Sequence, residues 1–184
     1  VAPFVLGGKP TLVPKTTAEL LALIRKEPGQ LNYGTDGVGT SMHLTAEIIK
    51  LGAGVDIVHV PYKNGPQVLT ELSSGLIELA VMPVTLAQPF IKDGKIKAIA
   101  VTGATRATQL PDVPTVAQTL PGYEVDTWFG YMAPKATPMA VRERIAKDLA
   151  KAPLPEKAAQ LERATSWLTL GDTGPRVREG CPQW

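Results

Sequence analysis

Short apolar runs alternate along this chain with stretches whose apolar residues recur at helical spacing. Phe4-Val5-Leu6 reads as a strand. Thr16-Thr17-Ala18-Glu19 is a capping box ahead of the stripe Leu20, Leu21, Ile24, and Pro28-Gly29 stops that helix. Leu31 to Tyr33 predicts the next strand. After a glycine-rich loop, Thr40 and Ser41 open a helix with Leu44, Ile48 and Leu51 at i, i+4 and i+7, which predicts that these three form its buried face. Val55 to Val60 is a strand ended by Pro61. Pro66 to Leu72 is a short helix ended near Gly75, and Ile77 to Val81 is again a strand. Val84 to Ile91 is helical, and Ile96 to Val101 predicts a buried strand.

This alternation means βαβ units and an α/β fold, with a mostly parallel sheet and helices on both faces. The pattern then changes. Leu110 to Pro114 is a proline-rich turn and Val116 to Leu120 a brief helix. Val125 to Ala133 reads as an aromatic strand and Pro134 to Thr137 as a linker. Pro138 suits the N1 position of a helix whose stripe is Val141, Ile145 and Leu149. A further helix is expected over Pro155 to Leu168. Beyond Gly171 the period dissolves into a loose tail. There is no internal repeat.

Composition narrows the function classes. With 44% hydrophobic and 20% charged residues, the 184-residue chain is ordinary globular protein. Its net charge of +2 is too balanced to argue for nucleic acid or an anionic membrane. Seventeen Gly and 17 Pro imply short elements joined by many turns. No apolar run approaches the ~20 residues of a membrane span. One cysteine, Cys181, excludes an internal disulfide framework. The chain opens on Val1 without a signal-peptide pattern, which fits a processed or truncated product.

The chemistry concentrates in Leu31 to Leu44, LNYGTDGVGTSMHL. A strand, a loop with Gly34, Gly37 and Gly39, and a capped helix start make a cradle for an anion. Glycines let the backbone approach a ligand, and a helix N-terminus offers unpaired N–H groups at the positive end of a dipole. The loop fails the P-loop pattern, because Thr40-Ser41 follows Gly39 where a lysine is required. It fails the dinucleotide fingerprint too, because Met42 stands at the third glycine position. A small-anion cradle remains, built from the N–H groups of about 37 to 42, Val38 included, and the hydroxyls of Thr35, Thr40 and Ser41. A tight βα turn with a good cap accounts for the same residues.

Asp36 limits the anion reading. A ligand carboxylate ~5 Å from it would be repelled by ~3 kcal/mol at an effective dielectric near 20. A helix end returns only about 0.3–1 kcal/mol, or about 2 when partly buried. Asp36 therefore points away, bonding its own loop as an Asx-turn, or the ligand carries a cation as well. His43 can hydrogen-bond a ligand, although pairing with Glu47 one turn on is the plainer reading. His59 inside a strand reads as buried structure. Two separate histidines and one distant cysteine make no metal cluster, and there is no G-x-S-x-G. Lys63 and Asn64 follow a parallel strand, where α/β ligand sites lie. Lys63 can face an anion there or be solvated. Trp128 is core or the lining of a cleft.

Five segments, YGTDGVGTSMHL, VDIVHVPYKNGPQVLTELSSG, IKDGKIKAIAVTG, LPDVPTVAQ and WFGYMAPKATP, occur in an order that resembles the Bug (TctC-like) extracytoplasmic solute receptors of tripartite tricarboxylate transporters. The resemblance covers about Val1 to Leu149. It implies a two-lobed periplasmic binding protein of type 2 and not an enzyme, holding a small carboxylate (a dicarboxylate, amino acid or aromatic acid) between its lobes. The loop matching Thr35 to Ser41 would supply donors to one carboxylate. Tyr62 to Asn64 and the segment after Glu78 to Met82, with Pro83 and Thr85, would flank the cleft. The implied partners are the membrane transporter subunits, with no nucleic acid and no cofactor. The implied state is a monomer when full length, in the periplasm.

The chain departs from that family in three places. The N-terminal stretch of the first lobe is absent. Met82-Pro83 stands where many members carry an Asp-Asn-like pair, a less polar wall that tilts the ligand toward an aromatic or monocarboxylate acid. The tail beyond about Lys151 does not follow the family's closing helices. The expected organisation is a ligand-binding lobe over 1–122, a crossing strand and helix of the first lobe over 123–150, and a divergent helix and tail over 151–184. Half a clamp buries less ligand surface, so weak or no binding is expected of this chain alone. Two other readings stay open. One is an enzyme using the cradle for an oxyanion, with His43 as its base. The other is a truncated fragment that folds without function, which the genomic sequence upstream of Val1 would separate.

Overall fold

A computed structural model of the chain describes residues 2–127, 133–134 and 136–151. It divides into two compact units, Ala2–Thr127 and the remainder. The first holds a six-stranded sheet, with β1 (Ala2–Gly8), β2 (Asn32–Thr35), β3 (Val58–Pro61), β4 (Leu79–Pro83), β5 (Lys97–Val101) and β6 (Asp126–Thr127). Its helices are α1 (Thr17–Lys26), α2 (Ser41–Ala53), α3 (Gly65–Ser74) and α4 (Val84–Lys92), with a 3-10 turn at Val116–Gln118.

The strand order is β3-β2-β4-β1-β5, with β6 paired to β1. The β2–β3 and β2–β4 pairs are parallel, and β1 runs antiparallel to β4, β5 and β6. Every strand but β1 therefore points the same way. This is the α/β class expected from the alternation. The reversed β1 is a feature that alternation alone does not predict.

Side-chain alternation along the strands assigns the helices to two faces. Tyr33, Leu79 and Val81 meet Leu20, Leu21 and Ile24 of α1 and Ala46 and Ile49 of α2 around one small apolar void. On the other face, the α-carbon of Gly34 lies under Val68 of α3, and Met82 and Leu72 of α3 converge on Gly7. The buried leucines and isoleucines each contribute about 1.5–3 kcal/mol. Tyr33, Leu20, Leu21, Ile24, Leu69 and Leu72 are among those fully enclosed.

Local chemistry sets the helix limits. The Thr16 hydroxyl accepts from the Glu19 amide at 3.2 Å, and the Glu19 carboxylate reaches back to the Lys15 amide at 2.8 Å. Asn64 caps α3 through the Gln67 amide at 2.9 Å. Gly54 and Gly75 end α2 and α3 in left-handed conformation.

One expectation fails on α2. Leu44, Ile48 and Leu51 are 53%, 45% and 80% exposed, and the buried face is Met42, Thr45, Ala46, Ile49 and Ala53. That second set is also helically spaced, and its small residues let the helix approach the sheet closely. The strand expected over Val55 to Val60 is Val58–Pro61, at the sheet edge.

In the second unit α5 (Met139–Lys151) begins one residue after Pro138, whose carbonyl accepts from Val141 and Arg142. Val141 and Ile145, expected on one stripe of this helix, are 45% and 47% exposed. Of the aromatic strand, Asp126 and Thr127 form β6. Residues 128–132, Trp128 among them, lie outside the described residues, as do the Pro155 to Leu168 helix and the tail.

Candidate functional site

Parallel pairing brings the carboxyl ends of β2, β3 and β4 to one edge of the sheet. Thr35 stands opposite Pro61, and Gly34 opposite Ala80. Each of these strands is followed by a helix, after a short loop for β2 and β3 and at once for β4, so the N-termini of α2, α3 and α4 open at that edge. Ligand sites of open α/β sheets form at such an edge. Tyr62 N–H donates to the Thr35 carbonyl at 2.8 Å and ties the second crossing to the first.

The loop from Thr35 to Thr40 is built by its own hydroxyls. Thr35 is fully buried, and its Oγ accepts from the Gly37 amide at 3.3 Å while lying 3.2 Å from the Gly37 carbonyl. Thr40 Oγ donates to the Gly37 carbonyl at 2.9 Å and accepts from the His43 amide at 3.3 Å, capping α2. Gly37 and Gly39 carry φ of +137° and +79°, which L side chains rarely adopt, and this lets the chain fold back on itself. The Gly39 amide donates to His43 Nδ1 at 3.1 Å.

These bonds divide the loop's donors. The Gly37 and Gly39 amides are engaged. Among the described residues, the amides of Val38, Thr40, Ser41 and Met42 have no internal acceptor. The last two are the first N–H groups of α2. The Ser41 hydroxyl is exposed on the same turn. The Thr35 hydroxyl, expected to face a ligand, instead shapes the loop from inside. The Asx-turn expected of Asp36 is made by Thr35. Asp36 Oδ1 is buried with no partner among the described residues.

His59, read from sequence as buried structure, is partly buried and belongs to this loop. Its Nε2 lies 2.6 Å from Thr35 Oγ. Its ring stacks on His43 with centroids 4.1 Å apart, and on Tyr33 at 4.9 Å. The signal was available in the register: β3 is an edge strand, and His59 stands opposite Tyr33, two positions from Thr35 and on the same face of the sheet. Behind the pair, Tyr33 donates to Glu47 Oε1 at 2.5 Å and Lys50 reaches the same oxygen at 2.9 Å. His43 Nε2 stands 4.0 Å from that oxygen, so the expected His43–Glu47 pairing is present.

This setting shifts the titration of its members. Burial, and the facing His43, press the His59 ring below its ordinary 6.5. Burial acts to raise Glu47, but the Tyr33 hydroxyl and the Lys50 ammonium outweigh it and hold the carboxylate below its usual value. Tyr33 is pushed up by burial and then by its bond to Glu47.

The remaining candidates fall at the same edge with different exposure. Lys63 and Asn64 are exposed between β3 and α3, and the Asn64 side chain is engaged as the cap. Pro83 precedes α4, with Thr85 exposed in its first turn. Met82 is a correction: it is fully buried, facing the α3 side of the core, because strand alternation turns it inward. The tilt toward an aromatic or monocarboxylate ligand loses that residue as its support. Among the described residues no group of three His, Cys, Asp or Glu could hold a metal ion. No helix there is long and apolar enough to cross a membrane.

Helix N-termini thus open at one sheet edge, beside glycine-loop amides that have no internal acceptor among the described residues. The model of the tripartite tricarboxylate transporter family receptor matches residues 1–162, and the chain belongs to that family. It is 38% identical over 136 residues to a UPF0065 protein of Pseudomonas sp. (strain P51), covering 73% of this chain and 40% of that one. It is 29% identical over 136 residues to the protein BugT of Bordetella pertussis, covering 73% and 42%. Among solved structures it resembles R. palustris Rpa4515 with adipate, at 33% identity and a TM-score of 0.78, over 81% of this chain and 50% of that one. It also resembles the periplasmic binding protein BugD, at 28% identity and a TM-score of 0.80, over 88% and 55%. The chain thus spans about half the length of the relatives it matches.

Proposed function

We propose that this chain carries the carboxylate-binding lobe of a periplasmic solute receptor that delivers its ligand to a tripartite tricarboxylate-type transporter. The observation that carries the proposal is the loop at the start of α2, whose Val38, Thr40, Ser41 and Met42 amides have no internal acceptor and lie at the carboxyl edge of the sheet. A carboxylate accepts from several such donors at once, and charge-assisted bonds of this kind are the stronger ones. The adipate in Rpa4515, a relative at 33% identity, supports a dicarboxylate as the ligand class. Lys63, Asn64, Pro83 and Thr85 are the flanking contacts in this reading.

The reading of His43 as a catalytic base is less favoured, because its Nδ1 already accepts from Gly39 and its Nε2 faces Glu47. Thermal melts with and without adipate test the proposal. A ligand that binds the folded chain raises Tm by mass action, as RT ln(1 + [L]/Kd). Because half a clamp binds weakly, the increment is expected only with adipate in large excess; it is absent with sodium chloride at equal ionic strength and absent in Gly39→Val, where φ of +79° excludes a β-branched side chain. Equal increments in the parent and in Gly39→Val would overturn the assignment to this loop.

A further inference from the structure

His43 and His59 come from different elements, α2 and β3, yet each holds one end of the same loop. His43 Nδ1 accepts from the Gly39 amide at 3.1 Å, so that nitrogen carries no proton and the neutral ring bears its hydrogen on Nε2, toward Glu47. His59 Nε2 meets Thr35 Oγ at 2.6 Å. When the Thr35 hydroxyl turns toward the Gly37 carbonyl, His59 must be the donor in that bond. The two rings are in stacking contact at 4.1 Å. The other titratable groups around them are Tyr33 of β2, Glu47 and Lys50 of α2, and Asp36 in the loop beside Thr35.

We propose that the stacked His43–His59 pair is a pH-sensitive latch that positions the glycine loop, holding Gly39 and Thr35 while His43 is neutral and releasing Gly39 when His43 takes a proton. The atoms at the contact dictate this. A proton on His43 Nδ1 makes that nitrogen a donor, and it then faces another donor, the Gly39 N–H, which must turn away. A second proton on the stacked pair would set two like charges in contact, so one proton is the whole switch. Glu47 faces the Nε2 side of His43 and receives the added charge there. The consequence for ligand capture rests on the carboxylate reading, since Gly39 lies between two free amides, those of Val38 and Thr40. The latch itself does not, and it is tested without ligand.

The experiment follows the amide resonances of Gly37, Gly39 and Thr40 in the ligand-free, isotopically labelled chain from about pH 8 to about pH 5, the range in which histidines titrate. The Gly39 amide is expected to move along a sigmoid shared with the His43 ring protons. In His43→Asn, a side-chain oxygen replaces Nδ1 as an acceptor without titrating, so the Gly39 resonance should stay near its high-pH position throughout. In His43→Phe it should occupy a released position at every pH. His59→Gln, which keeps a partner for Thr35, should retain the Gly39 sigmoid but move its midpoint, because the facing ring is gone. A Gly39 resonance that does not follow His43, or that titrates alike in the parent and in His43→Asn, would overturn the latch whatever the adipate melts give.

Discussion

Replacing Thr35 by valine separates a hydroxyl that builds the loop from one that waits for a ligand. The side chain is fully buried, and valine fills nearly the same volume. The substitution removes the acceptor of the Gly37 amide, at 3.3 Å, and the partner of His59 Nε2, at 2.6 Å. Stranding a partly buried amide costs about 1–3 kcal/mol, and the partly buried imidazole of the edge strand can turn to water. The extra buried methyl returns about 0.8 kcal/mol. The net loss is about 0.2–2 kcal/mol, a fall in Tm of up to roughly 8 °C for a chain of this size. Urea unfolding followed by far-ultraviolet circular dichroism measures the first number and a thermal melt the second. Thr35→Ser is the control: it keeps the hydroxyl, loses a methyl worth about 1 kcal/mol, and leaves the Gly37 and Gly39 amides at their parent resonances. A Thr35→Val chain as stable as the parent, with unmoved loop amides, would show that the hydroxyl does not build the loop.

Gly34→Ala would set a β-carbon 2.5 Å from Ile77 Cδ1 and 3.2 Å from both Tyr62 Cε2 and Val68 Cγ1. It should destabilise by about 1–3 kcal/mol, and adding Ile77→Val, which removes the nearest atom, should recover part of that loss in the same urea assay. Thr17→Val replaces a hydroxyl buried without a partner among the described residues, and should stabilise by about 1 kcal/mol. Stability should also depend on pH through His59. Its folded pKa lies below the 6.5 of the unfolded chain, so the unfolded state binds the extra proton between the two values. That contribution is fully present above pH 6.5 and is lost as pH falls through the folded value. Unfolding midpoints measured across that window should show a slope that His59→Gln reduces.

The sheet and its helices were legible because caps and breakers lie in the sequence itself. Thr16, Thr40 and Asn64 start helices, and Gly54 and Gly75 end them. The buried face of α2 was not, because the helix carries two apolar stripes at the same spacing. Hydrophobicity favours Leu44, Ile48 and Leu51, yet close packing on a sheet favours the smaller Thr45 and Ala46. The loop was found from its glycines and its cap, but its inner wiring was not. The Thr35 hydroxyl and the Asp36 carboxylate compete for the same turn, and spacing alone does not say which closes it. The role of His59 depended on strand register, a long-range fact. Met82 lies inside β4, a strand buried on both faces, so spacing alone does not say that its side chain turns toward α3.

The proposed carboxylate site is the set of free amides at the start of α2. Its most direct test is an amide-resolved titration of the labelled chain with adipate. The Val38, Thr40, Ser41 and Met42 amides should move saturably, those of the α1 face should stay still, and Gly39→Val should abolish the response. Saturable shifts centred away from this loop, or an unchanged response in Gly39→Val, would contradict the claim.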